Sequence, residues 1–83
     1  MPRPTLVAQQ PQIGRLVRQL RQQLNLSQEK FAAHLGVSFQ AVSRWENGHT
    51  TPSPMALQKL EQQIKKLGDR GKALLAQENS LYS

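Results

Sequence analysis

Ser27 and Ser38 stand eleven residues apart, each preceded by an apolar residue and each opening a stretch with helical spacing, and Gly36 lies between them. A serine hydroxyl in that position accepts a bond from a first-turn N–H that has no partner inside the helix. Leu26 and Val37, just outside the two caps, are placed to meet Phe31 and Val42 within. Gly36 closes the first stretch, and Gly48 after Asn47 closes the second. The pattern therefore predicts a helix over Gln28 to Leu35 and another after Ser38, joined by only a few residues. So short a link cannot lay two helices antiparallel along their length, and they must cross steeply.

Around this pair the remaining elements are helical too. Ile13, Leu16, Val17, Leu20 and Leu24 have the spacing of one helical face, and Asn25 suits the left-handed residue that follows a helix. Ser53 followed by Pro54 is a cap with a first-turn proline, opening a helix whose stripe is Leu57, Leu60, Ile64 and Leu67. Beyond Leu67 two readings stand. A break at Gly68 with a fifth helix from near Asp69 is preferred, because each interior glycine costs about 1 kcal/mol relative to alanine. The other is a continuous heptad seam through Leu74 and Leu81, with Gly71 and Glu78 as its faulty positions. Pro2, Pro4 and Pro11 prevent a continuous helix at the start. The expected organisation is a mobile arm over 1–11, a domain over 12–67 and an extension over 68–83. No period-two alternation of apolar residues occurs, so the fold class is all-α, a bundle of four to five helices.

Composition narrows the chemistry. The chain has 83 residues, no cysteine, a formal charge of +6 and a pI near 10.6. One small domain without disulfides or thiolate metal sites is expected, with an anionic partner. Arg3, Arg15, Arg18 and Arg21 meet no acidic residue in the first 24 positions, although basicity alone is equally met as solubilising surface. No apolar run approaches a membrane span, and the first residues lack the apolar core of a signal peptide, so a cytoplasmic location is expected. His34 and His49 are far from metal-ligand spacing, and Asp69, the one aspartate, joins no Ser, His and acid set. Neither a cofactor nor an enzymatic activity is expected.

The helix after Ser38 has two contrasting sides. Val42 and Trp45, three apart, share a face that looks inward, with Ala41 small beside them. Gln40, Ser43, Arg44 and Asn47 follow the same spacing on the other side, with Phe39 in the first turn. An amide can make two bonds to adenine, a guanidinium two to guanine, and an apolar group can touch the thymine methyl. An ordinary solvated face would carry the same residue types.

The stretch "LSQEKFAAHLGVSFQAVSRWENG" tips that balance, because it resembles the Cro and phage-repressor (xenobiotic-response-element) helix-turn-helix family, and the resemblance covers residues 13 to 67. Gln28 opens the second helix as in that family, Ala32 is the small residue at the crossing, Gly36 is the turn, and Val42 and Trp45 are the buried pair. The resemblance implies a transcriptional regulator, chiefly a repressor, that reads duplex DNA with its third helix, so that Phe39, Gln40, Ser43 and Arg44 approach bases. It also implies phosphate contacts from Gln28 and from the segment that includes Asn47, His49 and Thr51. Ser27 and Ser38 join the phosphate set because helix N-termini present free N–H groups and partial positive charge. Arg3 in the arm could also reach DNA. Phe39 departs from the polar residue common at its place, and either touches thymine methyl groups or tucks toward the domain. Arg21 stands where the family pairs an arginine with the residue at Glu46, which suggests a two-bond salt bridge.

One recognition helix reads only a few base pairs, so a homodimer on a palindrome is expected, with half-sites about 34 Å apart. Its expected surface is residues 68–83 with the distal end of the Leu60, Ile64, Leu67 stripe, since Leu74, Leu75 and Leu81 lie beyond the family match. A different class of function would use the same tail: an antitoxin-type module that neutralises a protein partner and represses its own promoter secondarily.

Overall fold

Three serine hydroxyls set where three of the helices begin. In the computed structural model, which describes residues 9–79, the elements are α1 (Gln12–Gln23), α2 (Gln28–Leu35), α3 (Phe39–Glu46), α4 (Pro54–Lys66) and α5 (Asp69–Asn79). Ser27, Ser38 and Ser53 accept from the backbone N–H of Lys30, Ala41 and Ala56 at 3.1, 3.1 and 3.2 Å, and all three hold extended backbone. Each cap satisfies a donor the helix cannot, a gain of about 1 kcal/mol. The arm's residues before 9, Arg3 included, and Leu81 at the far end lie outside the described residues.

Between α2 and α3 the chain turns at Gly36, whose φ of 75° is left-handed, and the Val37 N–H reaches back to the Ala32 carbonyl at 2.9 Å. A side chain at Gly36 would be strained there. Ala32, 2% exposed, is the small residue beneath the crossing. The apolar stripes then meet in one core: Ile13, Leu16, Val17 and Leu20 from α1, Phe31 and Leu35 from α2, Val42 and Trp45 from α3, Leu60 and Ile64 from α4. His34, an exposed residue of α2, bonds the buried Gln63 amide oxygen at 2.8 Å and ties α2 to α4.

The tail packs on its own domain. Asn25 and Gly68 are both left-handed, at φ 59° and 61°, and after Gly68 the chain folds back so that α5 lies on α1 and α4. Leu74 is 6% exposed inside the core, and Leu67 and Leu75 pack half-buried against it. Leu60 and Ile64 are fully enclosed. Leu60, Ile64 and Leu74 are thus committed to this chain's own core, and the physical reason is a close approach that spacing alone does not reveal. Gly71, the fault in a heptad seam, is buried where a Cβ would collide with the Ile64 carbonyl oxygen at the end of α4. Its missing side chain lets α5 sit down over its own domain.

Gln10, expected in the mobile arm, is likewise held. Its amide donates to the Trp45 carbonyl at 3.0 Å and the Thr50 carbonyl at 2.6 Å, and its oxygen accepts from the Gly14 N–H at 3.1 Å. One side chain thus caps α1 and pins it to the end of α3. Gly14 has no Cβ to obstruct this: one there would strike the Trp45 carbonyl oxygen.

Candidate nucleic-acid interface

With Val42 fully buried and Trp45 5% exposed, the rotation of α3 is fixed. Gln40, Arg44 and Asn47 are exposed and Ser43 half-exposed on the opposite side. Phe39 is 43% exposed, so its ring does not tuck into the domain. Gln40 and Arg44 are four residues apart on that face, about one helical turn of 5.4 Å. The Asn47 amide lies 3.4 Å from the Ser43 hydroxyl, leaving Gln40 and Arg44 as the exposed residues with the most donors. An α-helix with one apolar side docked and one amide-and-guanidinium side open is the shape that enters a major groove.

The sequence-predicted phosphate residues lie at helix ends and in the loop after α3. Ser27 and Ser38 use a hydroxyl lone pair as a cap, which leaves the hydroxyl proton available to an anion. His49 and Thr51 are exposed in the loop after α3. Gln28, the first residue of α2, is placed differently from the rest. Its amide donates to Glu46 Oε1 at 3.1 Å, so it is half-buried in a protein contact.

Glu46 is the hub of that contact. Its side chain is only 1% exposed, and Arg21 meets it with two bonds, Nε to Oε2 at 2.7 Å and Nη2 to Oε1 at 3.1 Å. Arg21 Nη1 continues to the Leu26 carbonyl at 3.0 Å, closing the connection to the loop before α2. Arg18 adds a longer contact, Nε to Oε1 at 3.4 Å. Burial pushes the Glu46 carboxyl up, and the bonds from Arg21, Gln28 and Arg18 outweigh it, so the group ends below its ordinary range. For Arg21, the bond to Glu46 raises the guanidinium further above its usual value despite partial burial. A carboxylate at the end of α3, which would repel DNA phosphates if bare, is thereby enclosed and neutralised. Exposed Glu29 in the first turn of α2 remains the acidic residue on this side.

Three contributors escape a reading of the sequence. Gln10 is masked by its proline-rich surroundings, Gly14 by the apolar stripe in which it sits, and Arg18 by a row of arginines with no acid at helical spacing. A glycine inside an otherwise helical pattern is the signal that could have exposed Gly14 as a close approach. Among the described residues no cluster of metal-ligating side chains occurs, and no helix is long and apolar enough to cross a membrane.

Comparison with known proteins agrees with this architecture. A family model described as helix-turn-helix matches residues 17–66, more than half of the chain, from within α1 to the last residue of α4. No curated protein and no solved structure gives a significant match. The matched segment contains the whole α2–α3 unit, the Glu46 hub and the exposed face of α3, and the chain therefore belongs to the Cro and phage-repressor helix-turn-helix family of DNA-binding transcription regulators.

Proposed function

We propose that this chain is a cytoplasmic repressor that recognises a specific duplex sequence by inserting α3 into the major groove. The observation that carries the reading is the division of α3 into a buried side, Val42 and Trp45, and an open side on which Gln40 and Arg44 stand one turn apart beside Phe39 and Ser43. In this reading those four approach base edges, and Ser27, Ser38, Asn47, His49 and Thr51 position the duplex through its phosphates. Gln28 would reach the backbone only through whatever its amide leaves free of Glu46. A helix of eight residues covers few base pairs, so two copies on inverted half-sites about one turn of DNA apart supply the affinity. The partner-neutralising alternative drew its support from the tail's leucines, and Leu74 and Leu75 pack within this chain's own domain.

The two contact classes separate on mutation. Arg44→Ala is expected to cost about 1 to 3 kcal/mol on the preferred site and to relax discrimination at one base pair per half-site. A phosphate-contact variant such as Thr51→Ala weakens preferred and scrambled duplexes alike. Titration of each variant against a set of single-base operator changes decides the matter. An unaltered preference profile for Arg44→Ala removes Arg44 from the reading set.

A further inference from the structure

The Glu46 hub holds one more cation than its charge requires. Arg21 neutralises the carboxylate with two bonds, and Oε1 already accepts from both Arg21 and Gln28 at 3.1 Å when Arg18 approaches it at 3.4 Å. Arg18 is thus the third donor on one oxygen, at the longest distance, with a side chain 51% exposed where that of Arg21 is 19% exposed. Among the described residues this is the one bond Arg18 makes, and a guanidinium carries five N–H donors. The residues one turn away on α1 are Gly14, Arg15, Arg21 and Gln22, none of them acidic. Leaving Glu46 would cost Arg18 little, because the carboxylate keeps its charge partner and its three shorter bonds.

We infer that Arg18 is a DNA-backbone contact, swinging from its loose place on Glu46 to a phosphate beside the start of α2 and extending the interface from α3 onto α1. Gln28, the first residue of α2, shares the same carboxylate oxygen, so the surplus positive charge lies next to a helix end that is itself electropositive. A phosphate there meets a half-exposed guanidinium capable of two parallel bonds, and with Glu46 enclosed the exposed carboxylate of that helix end is Glu29 alone. The position carries no base information, because the contact is to the backbone alone. This inference rests on the DNA-binding reading and adds a residue to it.

The test is a salt series of duplex-binding titrations on the wild type, Arg18→Gln and Arg18→Lys, with thermal melting of each free protein. Arg18→Gln is expected to weaken binding about five- to tenfold at moderate salt, equally on preferred and scrambled duplexes. It should also reduce the magnitude of the slope of log K against log salt by about 0.9, the share of one phosphate. Arg18→Lys should keep most of the slope, and melting should stay unchanged in both. Wild-type affinity and slope in Arg18→Gln would overturn the inference, as would a loss of affinity that follows a lowered melting temperature, which assigns Arg18 to the fold. If Arg44→Ala alters base preference while Arg18→Gln alters nothing, only the present inference falls. If the wild type binds no duplex, the reading beneath it falls as well.

Discussion

Arg21→Ala is expected to lower the unfolding free energy at neutral pH by about 3 kcal/mol, measured by denaturant titration, the low end of what removing one partner from a buried ion pair costs. The low end applies because Arg18 and Gln28 remain on the stranded carboxylate and offset part of the loss. The damage comes from Glu46, whose side chain is enclosed and would carry an incompletely compensated charge. Two corollaries separate this cause from lost packing. Arg21→Ala with Glu46→Gln should recover part of the stability, because the charge that needs a partner is gone. The wild type should lose stability as pH falls, since the Glu46 carboxyl lies below its unfolded value in the native state. Its contribution is full above the unfolded value, about 4.3, and disappears as pH drops through the lower native one. Glu46→Gln abolishes that part of the acid limb. A single Arg21→Ala variant as stable as the wild type would show that the network contributes nothing net.

Gly71→Ala is expected to cost about 3 kcal/mol, far more than alanine in place of glycine on an exposed helix, where it stabilises by about 1 kcal/mol. The sign reverses because the added methyl meets a backbone carbonyl, Ile64 O, which cannot rotate away as a side chain could. Helix α5 must lift from α4, and Leu74 leaves the core with it. Gly68→Ala makes a graded comparison. Nothing crowds that position, and only its left-handed φ of 61° is lost to strain, about 1 kcal/mol. Melting temperatures in the order wild type, Gly68→Ala, Gly71→Ala follow from this packing. A Gly71→Ala protein as stable as the wild type would mean that α5 does not dock on α4 as described.

What the sequence disclosed and what it concealed divide by range. Caps at Ser27, Ser38 and Ser53, the turn at Gly36 and the stop at Gly68 act over three or four residues, so their chemistry is visible in the letters themselves. The two sides of α3 were legible for the same reason: Val42 and Trp45 share a helical phase opposite Gln40 and Arg44. The destination of Leu74 and Leu75 was not, because leucines in a tail point to a neighbour without saying whose, and the answer lay in the absence of a side chain at Gly71. The Glu46 hub was half legible. Arg21 stands at a familiar place, but Gln28 and Arg18 converge on the same oxygen only once three helices are in position. Gln10 likewise gains its partners across 35 and 40 residues of sequence, a separation no local pattern encodes.

The central claim is that the face of α3 opposite the indole reads base order. Selection of bound duplexes from a random pool tests it most directly, run in parallel for the wild type and for a chain carrying Gln40→Ala and Arg44→Ala. The wild type is predicted to enrich one short motif, repeated in inverted orientation about one helical turn apart, and the double variant to lose that motif while still binding at low salt. Enrichment of the same motif by both chains, or of none by the wild type, would contradict it.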